Sequence, residues 1–323
     1  MSARPIRYLP ISLAFAVALT LVAGYQVVGV SRDYTNYLDF FSNVIASIGD
    51  FDLAYRFEPG FSLSVYLLAL AGLSPQLIYC SIVFVIVLMK YLSLSERENY
   101  WVALLIFSFY FLARYFVLFE MTVLRAACAF AFAFFVFFRK SDYKIRATEV
   151  LVLLLAITFH YSAAIFLLIY FAGNLSRRRV LFISCSVFLI VLSFKSTVVS
   201  ILPQYLNVFG TYEEFGPATL LPVPYLIDLI YLGFIILYWN KNDVAMKYCA
   251  LGLSIGAALH FSLLDYSLLA GRFRELTSVF VLIYVVKAST SGSTKVRYFS
   301  WLYVFSTGIL NMYATFVHDP LLS

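Results

Sequence analysis

Apolar runs long enough to cross a bilayer recur along the chain, separated by short loops that hold most of the charge. A hydrocarbon layer about 30 Å thick takes about 20 apolar residues in a helix that rises 1.5 Å per residue. The pattern therefore predicts spans near 8–30, 76–94, 100–118, 121–138, 180–199, 224–239, 248–267, 273–287 and 298–316. A membrane barrel would show short segments of alternating polarity, and the chain does not. The run Tyr8–Val30 follows Arg4 and Arg7 as a signal peptide would, but it is longer than a signal core and lacks a small-residue cleavage site, so it reads as a retained first span.

Two runs resist this scheme. Residues 54–61 read AYRFEPGF and precede an apolar stretch of only about a dozen residues, too short to span. The second, 149–173, is flanked by basic residues at both ends. Basic clusters at Arg4/Arg7, Lys90/Arg97, Arg139/Lys140/Lys144/Arg146, Arg177–Arg179, Lys241/Lys247 and Lys287/Lys295/Arg297 belong on the cytoplasmic side by the positive-inside rule. All stay there only if 60–72 does not cross and 149–173 turns back on itself. Residues 31–75 are then one long external loop with interfacial helices near 36–48 and 60–72. Pro59 suits the first turn of the second helix, and Glu58 suits its positive end. The run 149–173 becomes a split hairpin broken at Phe159-His160-Tyr161-Ser162, with its tip lining a water-filled cavity. Residues 1–323 form one multispan membrane domain, with the N-terminus cytoplasmic and with 31–75, the turn around Glu120 and 200–223 external.

Composition agrees with this fold class. Hydrophobic residues make up 63% of the 323 residues and charged residues 12%, too little polar surface to cover a soluble globule. The expected fold is an all-α polytopic integral membrane protein of about 10–12 transmembrane helices. The net charge of +6 resides in inter-span loops, so it serves membrane orientation, and no nucleic acid is expected as a partner. Cys80, Cys128, Cys185 and Cys249 form no CxxC pair, so neither a disulfide framework nor a metal site is expected.

With the cytoplasmic clusters set aside, Arg32, Arg56, Arg114, Arg125, Lys195, Arg272 and Arg274 remain, outward-facing or within the membrane, where cations need a reason. Arg125, in FEMTVLRAACAF, lies about one turn inside its span. It is either an anion clamp facing the bundle interior or an anchor that snorkels or pairs with Glu120. Arg272 and Arg274, in LLAGRFRE, enter their span in the same way, and one can pair with Glu275. His160 is either a hydrogen-bonded packing residue or the exposed tip of the hairpin. Asp33, in SRDYTNYLDFF, is either a general base or an ordinary loop aspartate, and aromatic residues within 34–41 can stack on sugar faces.

The ordered set RDYTNYLDFF, RFEPGF before a short helix, LRAACAF at the head of a span, the FHYSA break and the late GRF resembles the EpsG-like branch of the Wzy polysaccharide polymerases, over about residues 30–285. The resemblance implies a GT-C-like membrane glycosyltransferase acting on O-antigen, capsule or exopolysaccharide. Such an enzyme moves a growing glycan from a polyprenyl (undecaprenyl) diphosphate onto another lipid-linked repeat unit, at the outer face of the bacterial inner membrane. It implies Asp33, Glu58 and His160 as catalytic and Arg125 and Arg272 as the diphosphate grip; by their placement Arg274 is expected to join that grip, and Tyr34, Tyr37 and Arg56 to be acceptor or sugar contacts. Arg125 and Arg272 are expected to hold the donor diphosphate jointly. The family's arginine stretch usually reads Arg-Gln, where this chain has Arg125-Ala126. No cofactor or metal is implied. The expected partners are the lipid-linked repeats, membrane lipids, and chain-length regulator and flippase proteins. Two rivals stand beside it: a single-sugar transferase using polyprenyl-phosphate donors, which keeps the same map and arginines, and a flippase or transporter for the same lipids, which usually shows pseudo-repeated halves not seen here. A membrane acyltransferase using His160 lacks a second supporting motif.

Overall fold

The computed structural model describes residues 4–31, 33–49, 57–95, 99–173, 175–206, 220–291 and 293–318. Among them the regular structure is helical: α1 Arg4–Gly24, α2 Tyr34–Ala46, α3 Pro59–Leu70, α4 Pro75–Leu94, α5 Tyr100–Tyr110, a π-helix Phe111–Thr122, α6 Leu124–Arg139, α7 Ala147–Phe159, α8 Ala164–Ala172, α9 Arg177–Leu206, α10 Val223–Leu237, α11 Val244–Ser262, α12 Ser267–Ser291 and α13 Thr294–Tyr313. Four helical stretches, Arg7–Gly24, Pro75–Leu94, Tyr100–Thr122 and Val244–Ser262, are long and apolar enough to cross a membrane. The protein is a polytopic helical membrane protein.

Local sequence sets the helix ends. Ser74 caps α4 by accepting from the Leu77 N–H at 3.4 Å, with Pro75 in the first turn and Gly72 at φ +79° making the tight link from α3. Asp243 caps α11 by accepting from the Met246 N–H at 3.0 Å. The first helix stops at Gly24, short of the predicted 30. Gln26 turns into the left-handed region (φ 51°), and its side-chain Oε1 takes the Ser31 N–H at 2.7 Å, so the backbone leaves the helix with its polar groups satisfied. The helix α3 is 12 residues long, about 18 Å, well short of a bilayer.

The chain divides into two compact units. The first comprises Met1–Arg139, Ile145–Leu167 and Val285–Ser323. In it α1 runs along α4, with Phe15 stacked on Tyr91 at 4.8 Å, and α6 packs on α7 through Phe132 and Phe159 at 5.3 Å. The second comprises Lys140–Lys144 and Leu168–Tyr284. There Gly252 and Gly256 of α11 admit Phe280 and Thr277 of α12, and Ser262 Oγ donates to the Phe188 carbonyl of α9 at 3.2 Å. Also in this unit, Lys140, ahead of α7, donates to Tyr170 Oη near the end of α8 at 3.1 Å.

One expectation is corrected. Lys90, at the end of the span 76–94 and counted with Arg97 in a cytoplasmic basic cluster, and Glu120, expected at an external turn, are both fully buried in the first unit and form an ion pair. A hydropathy pattern assigns a charge near the end of a run to the basic cluster that follows it. It cannot register that the long lysine stem reaches a carboxylate 30 positions away.

Candidate functional site

The site starts at the N-terminus of α3. Pro59 occupies the first helical turn, where its missing N–H costs nothing, and it leaves Glu58 extended at φ −58°, ψ 145°. The Glu58 side chain makes no cap to its own helix and reaches Arg125 and His160 instead. Arg125, the second residue of α6, donates from Nη1 to Glu58 Oε2, and His160 Nδ1 lies 3.1 Å from Oε1. The three side chains thus converge from α3, α6 and the break between α7 and α8, all within the first unit.

Each neighbour has a backbone reason for its place. At His160 the chain becomes extended (φ −159°, ψ 113°), its N–H closing α7 on the Ala156 carbonyl and its C=O accepting from the Ala163 N–H at 2.8 Å. That single non-helical residue turns the imidazole out of the helix line toward Glu58. Gly60 lets α3 lie against α7: a Cβ there would come within 2.9 Å of the Thr158 Cβ and carbonyl oxygen and closer still to its hydroxyl. Beside Arg125, Tyr37, Phe40, Phe41, Phe57 and Phe61 interlock, with Phe40 and Phe57 centroids 4.7 Å apart. The Arg125 guanidinium lies 4.4 Å above the Phe57 ring and beside the Tyr37 hydroxyl.

The electrostatics follow from this enclosure. Glu58 is 5% exposed, and burial alone would raise its pKa. The His160 hydrogen bond and the Arg125 charge outweigh burial and hold the carboxyl down at about 2. An ionised carboxylate only accepts, so His160 Nδ1 must donate to it, which leaves the lone pair of the neutral imidazole on Nε2. Arg125 spends one nitrogen on Glu58, while its Nε is buried without an acceptor among the described residues. The cluster therefore offers guanidinium donors and an imidazole base, oriented by one carboxylate.

The other sequence candidates fall as follows. Asp33 stands half-buried at the start of α2, close enough to act electrostatically on Tyr37. Tyr34 donates from its hydroxyl to the Gly24 carbonyl at 2.8 Å and to Gln76 Oε1 at 2.5 Å. Tyr37 is 3% exposed, and burial raises its pKa. Arg56 lies outside the described residues. Arg272 and Arg274 are half-buried in the second unit, in the first two turns of α12. There Arg274 donates from Nη2 and Nε to Glu275 Oε1 at 2.9 and 3.2 Å and lies 5.7 Å from the Tyr225 ring. Among the described residues no three His, Cys, Asp or Glu side chains cluster as metal ligands. Sequence reasoning missed the roles of Phe57 and Tyr37 as the surroundings of Arg125. The position of Phe57 beside Glu58 was the one available signal.

A model of the EpsG family matches residues 10–321, nearly the whole chain. No curated protein and no solved structure matches it.

Proposed function

The chain belongs to the EpsG family, which suggests a glycosyltransferase-like polysaccharide polymerase, and from that premise we propose the finer activity. The protein polymerises a bacterial surface polysaccharide, transferring a growing glycan from a polyprenyl-diphosphate carrier onto a hydroxyl of another lipid-linked repeat at the outer face of the inner membrane. The observation that carries the reading is the convergence of Arg125 and His160 on Glu58.

In the proposed step the acceptor hydroxyl oxygen bonds to the anomeric carbon of the donor glycan, and the bond from that carbon to the diphosphate oxygen breaks. The leaving polyprenyl diphosphate keeps the electron pair, and Arg125 donors offset its growing negative charge. The hydroxyl proton passes to His160 Nε2, whose tautomer Glu58 fixes. Glu58, with its pKa near 2, is a weak base, and its part is to hold the other two groups in place. Asp33 and Tyr34 are proposed at the acceptor side, and Arg272 and Arg274, in the second unit, are proposed as phosphate donors in their own right.

The test is which lipid-linked glycan accumulates when the gene is deleted. The expected result is complete single repeats on polyprenyl diphosphate in the outer leaflet, with no polymer. Truncated repeats would favour a single-sugar transferase, and complete repeats confined to the inner leaflet would favour a flippase.

A further inference from the structure

Two charged side chains that this reaction does not use meet inside the first unit. Lys90, in the last turns of α4, and Glu120, in the last turn of the π-helix, are fully buried and ion-paired. The Lys90 ammonium also lies 4.3 Å from the Phe130 ring centroid and 5.2 Å from that of Phe111, while Glu120 Oε2 has no hydrogen-bond partner among the described residues. Withdrawing two ions from water is costly, and well-packed apolar replacements are often neutral or stabilising, so stability does not account for the pair. Position does.

Around the pair the backbone is fastened at three points. The carbonyls of Glu120 and Met121 both accept from Tyr79 Oη, each at 2.9 Å, tying this turn to α4. The Met121 carbonyl also accepts from Ser31 Oγ at 2.6 Å, and Thr122 Oγ1 donates back to the Val117 carbonyl at 2.9 Å. Val123 then leaves helical geometry (φ −113°, ψ 64°), and two residues later comes Arg125. The segment that delivers Arg125 to Glu58 is therefore anchored by the turn that carries Glu120.

The helix type makes such an anchor necessary. π-Helices commonly last a single turn inside an α-helix and are found at functional sites, whereas this one holds 12 residues. Slipping toward α-geometry turns the following side chains by about 100° for each residue displaced, since an α-helix carries 3.6 residues per turn. A charge in the last turn, with one buried partner on α4, selects the register in which both carbonyls face Tyr79.

We propose that Lys90 and Glu120 are positioning residues, a lock on the end of the π-helix that sets Arg125 against Glu58. The inference rests on reading Arg125 as the phosphate grip. The experiment uses the full chain reconstituted with lipid-linked repeats and compares Lys90→Met/Glu120→Leu, Tyr79→Phe and Arg125→Lys for melting temperature, kcat and KM. The apolar double variant should insert and melt at or above the wild-type temperature, with kcat reduced about 10- to 100-fold, the scale of an ångström-level misplacement, and KM unchanged. Tyr79→Phe, which loses one hydroxyl and keeps its ring, should lower kcat about 2- to 10-fold with KM unchanged. It carries the test if the double variant fails to insert. Wild-type kcat in either variant, alongside an inactive Arg125→Lys, overturns the positioning role and leaves the site intact. A fully active Arg125→Lys overturns the reading beneath it.

Discussion

His160 and Glu58 lie 102 residues apart in sequence, and their side chains meet at 3.1 Å, with the imidazole on the carboxylate that also holds Arg125. The hydrogen bond from His160 and the Arg125 charge depress the Glu58 pKa from 4.5 to about 2 against the opposing effect of burial. A depressed carboxyl pKa adds stability above the unfolded value and loses it as pH falls through the folded one. The contribution is about 3 kcal/mol at neutral pH, at 1.36 kcal/mol per pKa unit, and falls to about half that by pH 3. Glu58→Gln should therefore melt below the wild type at pH 7, with the gap narrowing steadily between pH 4.5 and 2. A gap that is constant across that range would show that the Glu58 charge is not what holds the cluster.

Arg125 should tolerate no substitute. Lysine presents a compact ammonium on a flexible stem in place of a planar fork, so Arg125→Lys should neither hold Glu58 and a phosphate together nor restore polymer. Loss of one donor aimed at developing charge costs about 2.7 to 4 kcal/mol, or on the order of 100- to 1000-fold in rate. Single repeats should accumulate while membrane protein level stays normal. Normal-length polymer from Arg125→Ala at undiminished level would end the role assigned to this residue.

Gly60 should be sensitive for a steric reason. A methyl group there collides with Thr158 backbone and side chain, so Gly60→Ala must push α3 away from α7 and separate Glu58 from His160. Gly233 of α10 has open space around it and is the control, where alanine should stabilise the helix by about 1 kcal/mol. Melting temperature and polymer length measured on both variants distinguish contact from helix propensity. Equal behaviour of the two variants would show that the close approach is unimportant.

Much of the fold was legible because the membrane enforces it. Helix α3 was foreseen at 60–72 and lies at Pro59–Leu70, since Pro59 and the shortness of the apolar run are purely local signals. The break at His160 followed from charge parity, and its backbone is indeed extended there. Glu58, Arg125 and His160 were each singled out from sequence, but their meeting was not, because each comes from a different helix and no periodicity links them. Lys90 shows the opposite failure. A lysine near the end of an apolar run reads as part of the cytoplasmic cluster beside it, and only the fold supplies Glu120 as its buried partner.

The proposed topology makes its own claim. If 60–72 stays in the outer interface and 149–173 returns to its starting side, a cysteine at Ser74 should label from outside and one at Ser176 from the cytoplasm. Cys80, Cys128, Cys185 and Cys249 would first be replaced. Labelling of Ser74→Cys from the cytoplasm alone, or of Ser176→Cys from outside alone, would overturn the map.

Polymerisation itself is read by reconstituting the purified full chain in liposomes with defined polyprenyl-diphosphate-linked repeats and no nucleotide sugar. The wild type should convert single repeats into a ladder of lipid-linked polymers, releasing one polyprenyl diphosphate for every bond formed. His160→Ala and Arg125→Lys, inserted to the same level, should leave the single repeats unextended. A wild-type protein that lengthens glycans only when a nucleotide sugar is supplied, or an Arg125→Lys variant that builds the same ladder, would contradict the account.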